Sequence, residues 1–261
     1  MPTVIAADDP AFFAIADAQI APTPLAPERP QRILTRDPGY IPILMYHYIR
    51  EVDEDADPIG YRLSVRPDRF EEQLQWLRAE GYTALRMSDL FACLRGQRAC
   101  PPRPVALTFD DGYEDQALNA LPLLERYQIP ATFYIVSGFV GKPGYMSWQQ
   151  LETLRDAGME IGGHTVSHAD LAGLSLEEAR AEIGQSRQLL RRRLGIEVES
   201  FAYPAGSYTL PVTDLVQEAG FSHAVTTEQS GTLRRIFRLP RRRVLGGESI
   251  EGFPWYFTPL P

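Results

Sequence analysis

Residues 105–113 read VALTFDDGY, a mainly apolar run that ends in two adjacent carboxylates and a glycine. A run of this kind, bounded by turn residues, is typical of a buried strand. Asp110 and Asp111 are like charges side by side, and their repulsion calls for a compensating metal or cationic group. The alternative is a solvated turn, because Asp-Gly is a common turn dipeptide.

The chain on both sides of this strand alternates between short apolar runs and amphipathic helical stretches. Strands are predicted at residues 43–49, 105–109, 131–136, 159–163, 201–203, 223–227 and 239–244. Strands that alternate with helices favour parallel βαβ units. The predicted fold class is therefore α/β, a single closed or nearly closed β/α barrel over residues 39–261. Catalytic groups in such barrels lie in the loops that follow the strands.

The helices are predicted from apolar periodicity and from their caps. Apolar residues recur on one helical face over residues 67–80. Ser147 and Ser175 each precede a glutamine or glutamate by three positions, which is the capping-box pattern for two further helices. Another helix is predicted near residues 213–219. These helices are the expected connections between the strands.

Composition and charge exclude several classes of protein. The 261 residues are 44% hydrophobic and 23% charged, which is the usage of a globular protein. No apolar run reaches the ~18 residues that a transmembrane helix needs. The net charge of −8 gives no overall attraction to nucleic acid or anionic lipid. Residues 1–38 are rich in Ala, Pro and Asp without a sustained period, which predicts an N-terminal extension or linker.

The two cysteines, Cys93 and Cys100, give information on the cellular compartment of the protein. This pair is a poor zinc site, because structural zinc takes four cysteine or histidine ligands. We expect a disulfide that closes a short loop, in preference to two free thiols, and hence an oxidising compartment. The first thirty residues carry no secretory signal pattern. We therefore expect an extracytoplasmic protein whose leader is absent from this sequence, with a cytoplasmic protein as the alternative.

A second polar cluster follows the predicted strand over residues 159–163. Residues 164–168 read HTVSH, and a spacing of i, i+4 places His164 and His168 on one face of a helical turn, where they can hold one ion. A lone histidine is more often a core residue, but two of the four histidines fall here. Two imidazoles with one carboxylate of the aspartate pair leave positions for water and substrate, as catalytic metals require. Zinc suits this set best, with cobalt and nickel as alternatives.

Three motifs in order, TFDDGY at 108–113, HTVSH at 164–168 and FAYPAG at 201–206, resemble those of the polysaccharide deacetylases. This is carbohydrate esterase family 4, with the NodB-homology domain, and the resemblance covers about residues 40–245. It implies a distorted (β/α)7 barrel that removes acetyl groups from polysaccharide. It also implies that Asp110 is the catalytic base and that the metal ligands are Asp111, His164 and His168.

The third motif departs from the family pattern Phe-Arg-x-Pro-Tyr-Gly. The arginine that orients the base is replaced by Ala202, whereas the oxyanion donor is a backbone amide that Ala205 can still supply. Arg238, Arg241 and Arg243 in RLPRRRV, residues 238–244, are candidate replacements. Strand alternation directs Arg241 and Arg243 to one side and Arg242 to the other, and we favour Arg241 as the partner of Asp110. The alternative is that these arginines form a solvated, outward-facing edge.

The general acid is predicted from a further resemblance. The family's late Leu-x-His motif is missing, and His223 stands at the start of a predicted strand, the wrong end for catalysis. His47, in ILMYHYI on the first strand, is similar to the early Tyr-His of a circularly permuted subgroup that includes poly-N-acetylglucosamine deacetylases. This implies that His47 protonates the leaving amine. The alternative is a core histidine bonded to a backbone carbonyl.

The implied reaction is the removal of N-acetyl groups from an N-acetylglucosamine-containing polysaccharide, with release of acetate. Tyr113, Tyr203 and Tyr208 lie near strand ends and are candidates to stack on sugar rings, with core packing as the alternative. Three other functions stay open: an O-acetyl esterase acting on a glycan such as acetylxylan, an amide hydrolase acting on a small molecule, and a glycan-binding protein that has lost catalysis.

Overall fold

The computed structural model describes residues 40–260, so the extension predicted over residues 1–38 lies outside the described residues. The strands within that span are β1 (Ile43–Tyr46), β2 (Tyr48–Ile49), β3 (Ser64–Val65), β4 (Thr83–Leu85), β5 (Pro104–Phe109), β6 (Thr132–Ile135), β7 (Glu160–Gly163), β8 (Ser200–Ala202), β9 (His223–Val225) and β10 (Arg242–Arg243). The α-helices are α1 (Pro58–Leu63), α2 (Pro67–Ala79), α3 (Met87–Leu94), α4 (Leu121–Tyr127), α5 (Trp148–Asp156), α6 (Leu176–Leu194) and α7 (Leu210–Glu218). A π-helical turn, Gln116–Ala120, precedes α4. None of the helices over residues 40–260 has the length and apolarity to cross a membrane.

Seven strands form a parallel sheet in the order β10-β1-β5-β6-β7-β8-β9, and β4 pairs with the first half of β5 outside this order. The segment before β10 brings the two edges of the sheet together. Its Leu239 pairs with Val225 on β9, and Arg242 pairs with Leu44 on β1. The structure thus confirms the α/β fold of the NodB barrel type. The carboxyl ends of the strands converge at one mouth.

Alternation along β5 separates two apolar cores. Val105, Leu107 and Phe109 belong to the larger core, which the strands share with most of the helices. Ala106, on the opposite side of the strand, belongs to a smaller core with residues of the other strands and of α3. Because side chains alternate with a period of two, Thr108 lies on the same side as Ala106. The face of β5 that carries Ala106 and Thr108 is therefore apolar at first and becomes polar towards the carboxyl end of the strand.

The predicted caps and helix faces are confirmed. The Ser147 hydroxyl accepts the Gln150 N–H at 3.2 Å, and the Ser175 hydroxyl accepts the Glu178 N–H at 3.3 Å. The apolar face predicted for α2 is buried. Helix α6 ends at Gly195, whose φ of +65° suits glycine. These local signals are strong because each satisfies backbone groups that a helix end leaves unpaired.

Other elements differ from the sequence expectations. The predicted first strand is interrupted, because β1 ends at Tyr46 and β2 leaves the barrel sheet to pair with β3. His47 lies at this break. Helix α7 begins at Leu210 rather than near 213, with Pro211 in the first turn, where a missing N–H has no cost. The short elements α1, α3, α4, β3 and β4 span too few residues to show a clear period.

The expected disulfide is present. Cys93, near the end of α3, is bonded to Cys100 in the following loop, with the two Cα atoms 5.0 Å apart. The alternative of two free thiols is therefore wrong. The bond ties the end of α3 to the loop that leads into β5.

We predict that Gly162, in β7, tolerates no side chain. A methyl group there would lie 2.5 Å from the Tyr134 ring and 2.8 Å from the Ser200 carbonyl oxygen. Because both neighbours are buried strand residues with little freedom to move, Gly162→Ala should lower the free energy of unfolding by about 1–3 kcal/mol. Urea unfolding followed by circular dichroism measures the change.

The matched control is Gly184→Ala in α6, where the added carbon would meet no atom within 4 Å. Alanine favours a helix over glycine by up to about 1 kcal/mol, so this variant should be as stable as the wild type or more stable. Equal stability of Gly162→Ala and wild type would contradict the prediction.

Candidate active site

The site residues predicted from the sequence lie at the mouth of the barrel. Those that follow the carboxyl ends of strands are His47, Asp110, Asp111, His164, His168 and Ala205. Arg241 comes from lower in the barrel, because Arg242 pairs with Leu44 near the start of β1, and its long side chain reaches towards the mouth. Parallel strands therefore bring together residues that are far apart in the sequence.

Asp111, His164 and His168 form a cluster of one carboxylate and two imidazoles. Asp111 Oδ1 lies 3.3 Å from His164 Nε2 and 3.2 Å from His168 Nε2. One ligand atom from each residue lies within 4.8 Å of the other two. His164 Nδ1 donates to the Ala202 carbonyl oxygen at 2.7 Å, which leaves the lone pair of Nε2 directed at the cluster. The structure thus brings the three predicted ligands together.

This cluster fits a divalent metal ion by its donor chemistry. Two imidazole nitrogens and one carboxylate oxygen suit zinc and its neighbours in the first transition row, and three ligands leave positions open. His164 is buried, whereas the His168 side chain is 38% exposed, so the cluster opens to solvent on one side. Burial raises the pKa of Asp111, but its close contacts with both imidazoles outweigh burial and hold this pKa far below its ordinary value. The carboxylate is therefore ionised and able to bind a cation.

Strained backbone is concentrated around the cluster. Six non-glycine residues within 40–260 have positive φ, and four of them are Asp111 at +74°, Thr165 at +62°, His168 at +59° and Ala205 at +52°. Such residues cost about 1–3 kcal/mol each and persist where the surroundings hold them. The helical turn predicted for residues 164–168 is wrong, because these residues form a loop. Two left-handed residues in this loop, rather than helical spacing, bring the imidazoles together.

Glu182, on α6, holds this loop in place. Its carboxylate accepts hydrogen bonds from the Val166 N–H at 2.8 Å, the Ser167 N–H at 2.9 Å and the Ser167 hydroxyl at 2.8 Å. The sequence patterns do not single out Glu182, because it is one of several charged residues on a long helix. Its role depends on a tertiary contact across 15 or 16 positions.

Asp110 and Arg241 form a buried, bidentate ion pair. Arg241 Nη1 and Nη2 donate to the two carboxylate oxygens at 2.6 and 2.7 Å. Arg241 also donates from Nε to the Thr226 carbonyl oxygen at 2.9 Å and from Nη1 to the Thr108 hydroxyl at 3.1 Å. Burial raises the pKa of Asp110, but the charge and hydrogen bonds of Arg241 outweigh it and keep the pKa below its ordinary value. Asp110 is thus held ionised inside the barrel.

The neighbouring arginine confirms the alternation. Arg242 points the other way, and its Nη2 donates to the Trp255 carbonyl oxygen at 3.2 Å. Arg241 and Arg242 are both buried, so neither forms the solvated edge that was the alternative. The supporting residues Thr108 and Thr226 are missed by the sequence patterns, although a threonine within the apolar run of β5 is a signal for an inward polar contact.

His47 lies beside the two aspartates. Burial lowers the pKa of His47 below its ordinary value, although Asp110 and Asp111 oppose this shift. Its Nδ1 atom is buried and has no hydrogen-bond partner among the described residues. The alternative was a core histidine whose ring donates to a backbone carbonyl, and His47 Nδ1 makes no such hydrogen bond within residues 40–260.

The three tyrosines considered for sugar stacking differ in environment. Tyr203 is fully buried, and its hydroxyl donates to a backbone carbonyl at 3.0 Å, so the expectation is wrong there and Tyr203 is a core residue. Tyr113 is half-buried, and its ring stacks on Tyr48 with centroids 3.9 Å apart. Tyr208 is also partly exposed. Tyr113 and Tyr208 thus keep surface that a substrate can contact.

His223 lies away from the mouth, as expected from its place at the start of a strand. It is fully buried and stacks on Phe91 with ring centroids 4.8 Å apart. Burial lowers the pKa of His223 to about 3, so the ring is neutral at ordinary pH. It is a core residue.

The fold and the site together define the class of the protein, a β/α-barrel hydrolase of the NodB type. The family model described as "Polysaccharide deacetylase" matches residues 97–224, which include Asp110, Asp111, His164 and His168. Over these residues the chain is similar to the polysaccharide deacetylase family.

Individual relatives agree with this assignment. YxkH of Bacillus subtilis (strain 168), provisionally named a polysaccharide deacetylase, is 29% identical over 87% of this chain and 80% of its own length. The poly-beta-1,6-N-acetyl-D-glucosamine N-deacetylase of Escherichia coli (strain K12) is 23% identical over 88% of this chain, but the chain spans only 40% of that protein. The solved structure of Streptococcus pyogenes deacetylase PplD in complex with acetate has a TM-score of 0.78 and 29% identity, over 84% of this chain and 98% of that one.

We predict that the Asp110–Arg241 pair stabilises the fold in a pH-dependent way. In Arg241→Met the buried carboxylate loses its partner, and breaking such a pair costs about 3–5 kcal/mol. The folded-state pKa of Asp110 is below its unfolded value of about 3.9, so the pair contributes above that pH and its contribution is lost as the pH falls through the folded pKa. The stability difference between variant and wild type should therefore be larger at pH 7 than at pH 4, as urea unfolding measures.

Arg180→Met is the control, because Arg180 forms an exposed ion pair with Glu218 on the surface. Such pairs contribute about 1 kcal/mol or less. A similar small loss in Arg241→Met at both pH values would show that the buried pair does not hold Asp110 ionised.

Proposed function

We propose that this protein is a metal-dependent N-deacetylase that acts on N-acetylglucosamine-containing polysaccharide and releases acetate, with its catalytic domain over residues 39–261. The observation that carries the proposal is an ionised carboxylate, Asp110, next to a three-ligand cluster in a site open to solvent. The name of the Escherichia coli relative, a poly-beta-1,6-N-acetyl-D-glucosamine N-deacetylase, supports the substrate class.

The metal ligands in this proposal are Asp111, His164 and His168, with zinc as the expected ion and cobalt or nickel as alternatives. When bound, such an ion would supply Lewis acidity to a carbonyl and lower the pKa of a coordinated water towards about 7. The hydrogen bond from His164 Nδ1 to Ala202 keeps that imidazole in the tautomer that binding requires.

In this proposal, different residues supply the base, the oxyanion donor and the acid for hydrolysis of the amide. Asp110 accepts the proton of the attacking water, because Arg241 keeps it ionised in a buried position. The backbone N–H of Ala205 is the proposed donor to the developing oxyanion, and the left-handed backbone at Ala205 is strain stored at that point. His47 protonates the departing nitrogen, since an amide nitrogen leaves poorly as an anion. The lowered pKa of His47 makes its protonated form a stronger acid for this step.

The substrate is proposed to lie across the mouth, in contact with Tyr113 and Tyr208. Both keep accessible surface at the end of the barrel that holds the catalytic groups. An extracytoplasmic location is part of the same proposal, and the Cys93–Cys100 disulfide supports it, because such bonds persist in oxidising compartments.

The direct test is acetate release from several acetylated glycans. We expect the zinc-loaded protein to release acetate from N-acetylated β-1,6-linked glucosamine oligomers, with chitin oligomers, peptidoglycan and acetylxylan tested in parallel. Asp110→Asn should reduce kcat by about 10²–10⁴-fold, since it removes the general base. Treatment with a chelator should abolish release, and added zinc should restore it.

Asp156→Asn is the matched control, because Asp156 is an exposed aspartate that forms an ion pair with the neighbouring Arg155. Its rate should equal that of the wild type. If all four glycans yield no acetate, or if Asp110→Asn is as active as the wild type, the proposed function is wrong.

A separate prediction concerns His47. His47→Ala should lower kcat on N-acetyl substrates by about 10²-fold or more, because the amine needs a proton to leave. The rate on 4-nitrophenyl acetate should change little, because 4-nitrophenolate leaves as an anion without being protonated. Steady-state kinetics on both substrates measure the ratio. Equal losses on amide and ester would contradict the role of His47 as general acid.

A further inference from the structure

The residues proposed as acid and base lie where two paired strands separate. Strands β1 and β5 are paired up to Tyr46 and Phe109, and the Asp110 N–H donates to the Tyr46 carbonyl oxygen at 3.0 Å. Beyond this point the segment that carries His47 turns away into β2, while the segment that carries Asp110 enters the Asp-Gly turn. The strand pairing alone therefore does not set the distance between the two residues.

Gln116 bridges the two segments at this point. Its Nε2 atom donates to the His47 carbonyl oxygen and to the Asp110 carbonyl oxygen, each at 2.6 Å. The side chain is fully buried. An amide nitrogen has two hydrogens, so both donors are used on the backbones of the two proposed catalytic residues.

Two neighbours of Gln116 hold the same segment. Asp115 Oδ1 accepts the Ile49 N–H at 3.3 Å, and Asn119 Nδ2 donates to the Ile49 carbonyl oxygen at 2.7 Å. We call Asp115, Gln116 and Asn119 the 115–119 clamp. Gln116 and Asn119 lie in the π-helical turn, a rare conformation that is frequent at functional sites.

We propose that Gln116 is a positioning residue for catalysis, which fixes His47 relative to Asp110 through their backbone carbonyls. The inference rests on the proposed function, in which His47 and Asp110 act on the same amide. A misplacement of about 1 Å can cost about 10²-fold in rate, so a direct bridge between acid and base has a large effect on kcat. The rest of the 115–119 clamp keeps the segment after His47 from moving independently.

The structure supplies a matched control. Gln73, on α2, is also buried, but its Oε1 accepts from the Tyr46 hydroxyl at 3.0 Å and it holds no backbone of a proposed catalytic residue. Methionine is close to glutamine in shape and has no amide. Gln116→Met and Gln73→Met therefore remove comparable buried amides, and only the first removes the bridge.

The experiment compares both variants on an N-acetylated glucosamine oligomer and on 4-nitrophenyl acetate. We expect Gln116→Met to lower kcat on the amide by about 10–100-fold, with KM within about 2-fold, because the position of the acid is altered and not the binding surface. The ester, which needs no general acid, should lose less than about 3-fold. Gln73→Met should leave the amide-to-ester ratio unchanged.

A double variant separates positioning from general damage. If Gln116 acts through His47, adding Gln116→Met to His47→Ala should cause little further loss on the amide. Gln116→Glu is the second variant, because a carboxyl group keeps the shape but donates to at most one of the two carbonyls when protonated and to neither when ionised. It should show the same selective loss. Parallel losses on amide and ester, or full additivity with His47→Ala, would overturn the proposal.

A measurement independent of turnover distinguishes this inference from the proposed function. The chain has four histidines, so long-range 1H–15N spectra resolve each imidazole. Gln116→Met and Gln116→Glu should shift the His47 resonances and leave those of the distant His223 unchanged, whether or not the protein deacetylates any glycan. Unchanged His47 resonances in a folded variant would refute the bridge. Absence of acetate release by the wild type would instead refute the proposed function.

Discussion

The buried ion pair between Arg241 and Asp110 is the interaction on which the site depends. Two charges inside a barrel lose their hydration, and only good geometry with further hydrogen bonds offsets that cost. Here the carboxylate receives two donors, and two further donors of the guanidinium reach Thr108 and Thr226. The pair links two chain segments 131 positions apart, so it couples closure of the barrel to the charge state of the proposed base.

This pair also explains how the family arginine can be absent from the third motif. All strands of a barrel share one interior, so a guanidinium can reach the same carboxylate from a different strand. The small side chain of Ala202 packs in the smaller core, while its backbone carbonyl oxygen, which any residue would supply, fixes the His164 tautomer. An arginine at that position would have to share the interior with Arg241, which is itself fully buried.

The parts of the molecule that could be predicted from the sequence depend on local rules. The capping boxes, the α2 face and the strand-to-turn transition at Asp110 each follow from a few adjacent residues, and the motif order implied the barrel and the ligand cluster. The loop at His164–His168, the break at His47 and the contacts of Glu182 and Gln116 depend on tertiary partners. Gln116 lies 69 positions from His47, and no periodicity of the chain connects them.

The two ends of the barrel are built differently, and the difference has a physical reason. At the mouth, left-handed residues such as Asp111 and His168 store strain that is a large share of a typical folding free energy of about 5–15 kcal/mol. At the other end, the Glu160 carboxylate accepts from the Ser88 N–H at 2.9 Å and the Thr132 hydroxyl at 3.0 Å. The ligand geometry thus persists because the strands below it are well packed and because Glu182 and Gln116 hold the loops directly.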